Sequence, residues 1–408
     1  MSQTLMRTAN LQVGYGKRCV VDDVDINALR GGMVCLLGPN GSGKSTILRT
    51  LSGMLNPVAG AVYVENTNVR AMPKSSLARR MAVVLTDKLQ PGLMTAFEIA
   101  AMGRHPYTGF FGKLKGHDSE IVMDALQSVR AEHLAHRYYN ELSDGEKQKI
   151  MIARALAQEP ELIVLDEPTS HLDISHRVEV IEVLARLCRE KKITIIMALH
   201  DIDLALKGCK TVMMVKNGKI IAQGSPEQIV HQGIIQELYD ITSARYDDLL
   251  GSLELKSHSP KSTLFVVGGA GSGIPVFRAL RRAGYGMDSG VLHRSDVDTH
   301  VAQAMCNNII TESDFQAISD QSFKAACDLM QDHEVVVDTG FPVGIVNERN
   351  LELLRLALKM GKSVYSLRMD GSGYRCNSVQ NLIAALEKRG DNIDACASDF
   401  REVFPVSI

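Results

Sequence analysis

The sequence lacks a surplus of basic residues, a paired cysteine motif and a long apolar run. Its 45 lysines and arginines face 47 aspartates and glutamates, which gives a formal net charge of -2. Nucleic-acid-binding proteins usually carry a basic surplus, so this balance argues against that class. The eight cysteines are scattered and none forms a C-x-x-C pair. We therefore expect neither a zinc ribbon nor a disulfide framework, and a reducing compartment fits best.

Membrane-spanning and exported proteins need apolar segments that this sequence also lacks. No stretch of about eighteen apolar residues occurs, so we expect no transmembrane helix in this chain. The N-terminal residues 1–16 contain no apolar core of a signal peptide. If the protein works at a membrane, we expect another chain to supply the membrane part.

What the chain does contain is the composition of a globular protein with two α/β segments. Of its 408 residues 45% are hydrophobic, which suffices for a sizeable core in two or three domains. Apolar strand-like runs alternate with helical patterns such as Ile174 to Glu190, and this alternation predicts a largely parallel sheet. We predict a first domain over residues 1–250, a polar linker over residues 251–262 and a second α/β domain over residues 263–408.

A complete phosphate-binding motif follows the strand-like run Met33 to Leu37. Residues 38–45 read G-P-N-G-S-G-K-S, which satisfies the P-loop pattern between a strand and a helix. Backbone N–H groups of such a loop face a phosphate, and the next helix presents its positive end to it. Lys44 would reach the β- and γ-phosphates of ATP, and Ser45 would ligate Mg²⁺. The predicted nucleotide-binding residues here are Gly38, Pro39, Asn40, Gly41, Ser42, Gly43, Lys44, Ser45 and Thr46.

A pair of acids ends a second apolar run. Asp166 and Glu167 directly follow Leu162 to Leu165. Alone, this pattern is more often a strand that leads into an acidic turn. Downstream of a P-loop, it predicts that Asp166 holds Mg²⁺ and that Glu167 acts as the general base toward water.

Residues 142–148, L-S-D-G-E-K-Q, resemble a divergent form of the signature motif of ATP-binding subunits of ABC transporters. The resemblance implies an α/β P-loop ATPase domain with a helical subdomain. From the pattern of the later residues we expect a smaller Rossmann-like α/β domain to follow it. The resemblance also implies that Ser143 and the Gly145 amide contact a nucleotide. Asp144 replaces the family's usual glycine and adds an acid near the expected γ-phosphate, which could lower ATP affinity or the rate of hydrolysis.

Further positions follow the order of motifs in this family. By resemblance, Tyr15 stacks on adenine, Asp173 in the D-loop lies at a dimer seam, and the switch histidine His200 contacts the γ-phosphate. The alternative for Tyr15 is an aromatic side chain in the core of a strand. Thr86 stands where the family has a glutamine that senses Mg²⁺ and the attacking water. Because threonine is several atoms shorter, the sensing role of this position is left open.

The resemblance also implies partners. In the family, one nucleotide is sandwiched between the P-loop of one subunit and the signature of another, and this chain has one of each. We therefore expect a homodimer that ATP closes and hydrolysis opens. We expect a peripheral protein on the cytoplasmic face of the cell membrane, under a separate integral membrane permease. A substrate-binding protein would be an indirect partner, and no nucleic acid is expected.

Two segments resemble the ATPases of iron-siderophore, haem and cobalamin importers: residues 97–107, F-E-I-A-A-M-G-R-H-P-Y, and residues 217–227. The resemblance predicts an ATPase subunit that drives import of a metal chelate or corrinoid. Tyr107, Phe110 and Phe111 would contact the permease, or else form the core of the helical subdomain. The alternatives are a non-transport soluble ABC ATPase, a binding module without hydrolysis, or an importer of another small cargo with a cargo-sensing C-terminal domain.

Residues 263–408 lie outside the usual ATPase module. The turn 267–273, V-G-G-A-G-S-G, resembles a Rossmann-type turn that could hold a phosphate or another anion. It lacks the third glycine, and a plain glycine-rich turn is the alternative. Asp338, Thr339 and Gly340 would share the same sheet edge, so both turns mark a candidate ligand crevice. Some ABC ATPases carry C-terminal domains that bind cargo and inhibit transport, which suggests a regulatory or ligand-binding role.

Overall fold

The chain divides into two compact units, Met1–Tyr239 and Asp240–Ile408, each with its own sheets and apolar core. The computed structural model describes residues 3–85, 91–108, 113–230, 233–256, 259, 262–368 and 374–389. None of the helices in these ranges combines the length and the apolar character that a bilayer crossing requires.

The first unit is built from two sheets and the helices around them. Its strands are β1 (Thr4–Tyr15), β2 (Arg18–Val24), β3 (Asn27–Leu29), β4 (Met33–Leu37), β5 (Ala59–Val64), β6 (Thr67–Asn68), β7 (Met81–Val84), β8 (Leu162–Asp166), β9 (Thr194–Ala198), β10 (Thr211–Lys216) and β11 (Lys219–Gly224). Its helices are α1 (Lys44–Leu51), α2 (Lys74–Arg80), α3 (Ala96–Ala101), α4 (Gly116–Ser128), α5 (Asp144–Leu156), α6 (Ile174–Glu190), α7 (Ile202–Gly208), α8 (Pro226–Ile229) and α9 (Ile234–Tyr239). Short 3-10 turns lie at Val69–Ala71, Met102–Arg104, Glu132–Leu134 and Tyr139–Glu141.

A six-stranded sheet positions the predicted nucleotide site. Its order is β11-β10-β4-β9-β8-β7, and all neighbours are parallel except β11 with β10. Every residue of β4, β8 and β9 is buried, as expected for parallel strands that are covered on both faces. Ala198 pairs with Leu36 on one side and with Asp166 on the other. The loops that follow these three strands therefore meet at one edge of the sheet.

An antiparallel sheet covers the other side of α1. It has the order β2-β1-β5-β6, with β3 also paired to β1. Ile47 and Leu48 of α1 are fully buried in one core with Leu11 of this sheet and with Val164 and Ile196 of the parallel sheet. The helix that follows the P-loop is thus fixed by apolar packing on both sides, which keeps the loop at a defined place above β4.

The second unit is a smaller doubly wound α/β domain. Its strands are β12 (Ala244–Asp247), β13 (Ser252–Leu255), β14 (Leu264–Val267), β15 (Met287–His293), β16 (Ile309–Glu312), β17 (Val335–Asp338), β18 (Ser363–Ser366) and β19 (Tyr374–Arg375). Its helices are α10 (Gly273–Arg282), α11 (Val297–Met305), α12 (Asp320–Gln331), α13 (Arg349–Lys359) and α14 (Val379–Arg389). The parallel sheet has the order β16-β15-β14-β17-β18-β19, with an apolar core on each face. This architecture confirms the predicted Rossmann-like fold of the C-terminal part.

Part of the predicted linker is a strand. Residues Ser252–Leu255 of β13 pair antiparallel with β12, although the segment 251–262 reads as a polar linker. Its acidic residue, Glu254, is buried and accepts a hydrogen bond from Arg278 Nε at 3.2 Å. The sequence alone does not distinguish a charged residue that is paired inside the fold from one that is exposed in a linker. The strand was therefore not predicted. The predicted domain limits at 250 and 263 stay a prediction.

Candidate active site

The P-loop between β4 and α1 depends on glycine at two crowded positions. Gly38 has φ 156°, and a Cβ there would lie 2.2 Å from the carbonyl oxygen of Val215. Gly43 has φ 108°, and a Cβ there would lie 2.3 Å from Val21. The Ser42 hydroxyl is buried in the loop and has no hydrogen-bond partner among the described residues. A phosphate oxygen would supply that partner, so the loop fits the predicted nucleotide.

Lys44 is folded against the loop that it follows. Its side chain is almost fully buried, and Nζ donates hydrogen bonds to the carbonyl oxygens of Gly38 at 2.8 Å and Pro39 at 3.0 Å. Burial lowers the pKa of Lys44, and the charges of Glu167 and Asp166 oppose this shift. An ammonium group has three donors, so one remains for a phosphate.

Ser45 and Asp166 are hydrogen-bonded to each other. Ser45 Oγ donates to Asp166 Oδ1 at 3.0 Å. Burial raises the pKa of Asp166, against the hydrogen bond from Ser45. Mg²⁺ prefers oxygen ligands and usually takes one or two from the protein, with water and phosphate oxygens completing its shell. The pair fits this ion, although the described residues contain no cluster of three or more His, Cys, Asp or Glu that could hold a metal.

Glu167 is held by two side chains from separate loops. His200 Nε2 is hydrogen-bonded to Glu167 Oε1, and Ser170 Oγ donates to Oε2 at 2.9 Å. Burial raises the pKa of Glu167, but the hydrogen bonds from His200 and Ser170 outweigh it, so the pKa lies below its ordinary value. The carboxylate is therefore ionised at neutral pH and can accept a proton.

A cleft of about 570 Å³ unites the P-loop with this carboxylate. Its lining consists of Asn40, Gly41, Glu167, Thr169, Ser170, His171, Arg177, His200 and Asp201. Sequence reasoning missed Arg177 and Asp201, whose charged groups are 3.6 Å apart. Arg177 also donates to the Leu172 carbonyl at 2.7 Å, which ties the D-loop to α6. The available signals were that Asp201 directly follows His200 and that Arg177 lies four residues after Asp173.

Other predicted site residues lie off this lining. Ser143 caps the N-terminus of α5: its hydroxyl accepts from the backbone N–H of Glu146 at 3.3 Å, and Glu146 accepts from the backbone N–H of Ser143 at 2.8 Å. The helix begins at Asp144. Asp144 is exposed, with Lys147 3.9 Å away. The cleft lining also leaves out the following predicted site residues: Tyr15, Gly38, Pro39, Ser42, Gly43, Lys44, Ser45, Thr46, Gly145, Asp166 and Asp173.

The aromatic predictions have different outcomes. Tyr15 ends β1 with 52% of its surface exposed, so the alternative of a core aromatic is wrong. Tyr107 is partly buried, and its hydroxyl donates to the Gln158 carbonyl at 3.1 Å. Cζ of Arg104 lies over the Tyr107 ring, 4.1 Å from the ring centroid. This favours packing within the helical subdomain. Thr86, Phe110 and Phe111 lie outside the described residues.

In the second unit, the chain's own carboxylates fill the glycine-rich turn. Asp296 Oδ2 accepts from the backbone N–H of Ala270 at 2.7 Å. Asp298 accepts from the backbone N–H groups of Gly273 at 2.9 Å and Ile274 at 3.0 Å. These donors are the ones that a phosphate would need at the start of α10. The arrangement therefore favours the plain glycine-rich turn over the predicted anion site.

The two predicted turns do come together at the sheet edge. Ser272 Oγ and Thr339 Oγ1 are 2.6 Å apart. Asp338 accepts from Ser366 Oγ at 2.7 Å and from Arg368 Nε at 3.3 Å. The two turns are thus neighbours as predicted, but these polar groups bind one another, and the ligand crevice stays a prediction.

Asp298 makes the stability of the second unit depend on pH. Burial raises its pKa to about 6, against the hydrogen bond from Gly273. The native state then binds more protons than the unfolded state between about pH 4 and pH 6. The stabilisation that comes from protonation of Asp298 in the native state is therefore lost as pH rises. We expect the free energy of unfolding, relative to that of Asp298→Asn, to fall by on the order of 2 to 3 kcal/mol from pH 4 to pH 7. Urea unfolding of both proteins measures this, and equal pH slopes would contradict it.

Comparison with known proteins identifies the family. The family described as ABC transporter matches residues 21–170. An uncharacterised ABC transporter ATP-binding protein of Methanocaldococcus jannaschii is 44% identical over 289 residues, which cover 71% of this chain and 100% of that protein. This chain is an ABC transporter ATP-binding protein. The comparison confirms the predicted family and fold class, and the protein is an ABC-type ATPase that binds ATP.

Some relatives of this ABC ATPase are named for their cargo. The ferric enterobactin transport ATP-binding protein FepC of Escherichia coli is 36% identical over 243 residues, 60% of this chain and 90% of that protein. The cobalamin import ATP-binding protein BtuD of Halobacterium salinarum is 32% identical over 314 residues, 75% of this chain and 78% of that protein. Because the first unit ends at Tyr239, the second match extends into the second unit.

Two further comparisons cover the separate parts of the ABC ATPase. The structure of an inward-facing ABC transporter assigned to the metal-chelate type superposes with a TM-score of 0.52 at 28% identity, over 58% of this chain and 88% of that chain. The MJ0874 family matches residues 288–396, which lie in the second unit.

Proposed function

We propose that this protein is the ATP-hydrolysing subunit that drives import of a metal chelate or a corrinoid through a separate integral membrane permease. The observation that carries the hydrolytic part is the position of the Glu167 carboxylate, held by His200 and Ser170 in the cleft beside the P-loop. A carboxylate at this place can take a proton from a water that attacks the γ-phosphate.

The other predicted site residues bind and orient the nucleotide in this proposal. The loop 38–46 binds the phosphates through backbone N–H groups, and Lys44 adds a charge at the β- and γ-phosphates. His200 is hydrogen-bonded to Glu167, which it orients in this proposal, and it would also contact the γ-phosphate. Ser45 and Asp166 would hold Mg²⁺, which neutralises phosphate charge when bound. Tyr15 has the exposure that stacking on adenine needs.

The proposed active form is a homodimer. The chain contains one P-loop and one signature motif, and in this family a nucleotide lies between the P-loop of one subunit and the signature of another. A second copy can bring its signature motif to this cleft, and two-fold symmetry then gives two equal sites.

Cargo and location are proposed from the named relatives. FepC and BtuD are named for ferric enterobactin and cobalamin, and the BtuD match includes part of the second unit. We place the protein on the cytoplasmic face of the membrane, bound to the permease, with a substrate-binding protein as an indirect partner. We propose a regulatory role for the second unit.

Uptake in cells that make this protein tests the proposal. We expect Glu167→Gln at the chromosomal locus to reduce uptake of one of three labelled cargoes, cobalamin, haem or a ferric siderophore, to background. Glu190→Gln is the matched control, because Glu190 is exposed at the end of α6. Unchanged uptake of all three cargoes, with ATP hydrolysis lost in the purified variant, would contradict the proposed cargo class.

A further inference from the structure

The backbone conformation at residue 145 does not explain why this residue is a glycine. Gly145 lies in the first turn of α5, and its φ is not in the left-handed region. A Cβ on residue 145 would lie 2.4 Å from Cδ2 and 2.9 Å from Nε2 of His176. The imidazole of His176, on α6, therefore occupies the space that any side chain at residue 145 would need.

The D-loop holds the same ring. His176 Nδ1 is 2.8 Å from Oδ1 of Asp173. This oxygen also accepts hydrogen bonds from the backbone N–H of His176 at 2.9 Å and from Ser175 Oγ at 2.8 Å. These hydrogen bonds lower the pKa of Asp173 to about 2, and the bond from the backbone N–H of His176 contributes most. Asp173 is therefore ionised at neutral pH. The ring is thus hydrogen-bonded to the D-loop and in contact with the signature motif.

We propose that His176 is a positioning residue that sets the signature turn, Ser143 to Gly145, relative to Asp173. The proposal rests on the proposed function, in which both segments face the nucleotide bound by a second copy. The N-terminus of α5 attracts phosphate through its free N–H groups and its dipole. Because the ring touches Gly145 and binds Asp173, a movement of the D-loop shifts the N-terminus of α5 with it.

A second link between the two helices provides the control. Lys149 of α5 and Glu179 of α6 form an ion pair at 2.7 Å, about one turn further along each helix. This pair holds the helices together, and its hydrogen bond involves neither Asp173 nor the signature turn. Glu179→Gln weakens the packing of the helices, whereas a change at His176 alters the orientation of the signature turn.

A double-mutant cycle in the full-length protein tests the proposal. Gly145→Ala places a methyl group against the ring, and we expect kcat for ATP hydrolysis to fall about a hundredfold. We expect His176→Ala to lower kcat about tenfold, because the turn loses its contact. In the double variant the methyl group has room, so we expect a loss of about tenfold and not the product of the single losses. The Kd for ATP, measured on dilute protein, should stay within about twofold, because the P-loop is untouched.

Two more variants separate positioning from general destabilisation. His176→Asn keeps a donor near the place of Nδ1, and we expect it to retain more kcat than His176→Ala. Glu179→Gln should keep kcat within about twofold of the unmutated protein. Losses that multiply in the double variant, or a native kcat in His176→Ala, would overturn the proposal. An unmutated protein without ATPase activity would instead contradict the proposed function, and with it this role of His176.

Discussion

Glu167→Gln is expected to lower the steady-state rate of ATP hydrolysis by about three orders of magnitude. An amide cannot accept the proton of the attacking water, so the variant loses the base. It has nearly the same shape as glutamate and can still bind Ser170, which donates to Oε2 in the native protein. Binding of ATP should therefore survive, and dimers with bound ATP should accumulate because hydrolysis no longer opens them.

Phosphate release measures the rate, and size-exclusion chromatography with ATP measures the dimers. Glu190→Gln makes the same chemical change at an exposed position and should keep the native rate. An unchanged rate of hydrolysis in Glu167→Gln would contradict the assignment of Glu167 as the general base. Loss of hydrolysis in Glu167→Gln without accumulation of dimers would support Glu167 as the base but contradict a site shared between two copies.

Lys44→Ala is expected to weaken ATP binding by at least about a hundredfold, which corresponds to roughly 3 kcal/mol. The native ammonium is buried and bound to the carbonyl oxygens of Gly38 and Pro39. Its removal leaves these two acceptors without their donor and takes a positive charge from the phosphate site. Hydrolysis falls as a consequence of lost binding, in contrast to Glu167→Gln.

Isothermal titration with a non-hydrolysable ATP analogue gives the Kd directly. Lys74→Ala, at an exposed position at the start of α2, is the matched control and should bind normally. Lys44→Arg should also bind poorly, because a planar guanidinium cannot replace the compact ammonium between the two carbonyls. Native affinity in Lys44→Ala would mean that the phosphates bind elsewhere.

The sequence predicts best where one contiguous segment determines the structure. The P-loop needs only residues 38–45 and the strand before them, and it lies as expected between β4 and α1. The limits of α6 agree with the predicted Ile174 to Glu190, because its apolar positions repeat with the period of a helix. The buried strands β4 and β8 are apolar over nearly their whole length, which makes them easy to recognise.

Prediction is weaker where partners distant in the sequence decide the outcome. The hydrogen bond between His200 and Glu167 joins residues 33 positions apart, and only the order of family motifs pointed to it. The contact of His176 with Gly145 has no pattern of its own, since it depends on how α6 packs against α5. Strand β13 was missed because the charge of Glu254 is neutralised inside the fold.

Asp296 and Asp298 have a consequence for any ligand of the second unit. They are part of the chain, so they compete with any phosphate for the N–H groups of the turn at an effective concentration on the order of millimolar. The turn therefore carries an intramolecular competitor. Although the sequence has two glycine-rich turns, we expect only one equivalent of bound nucleotide per chain.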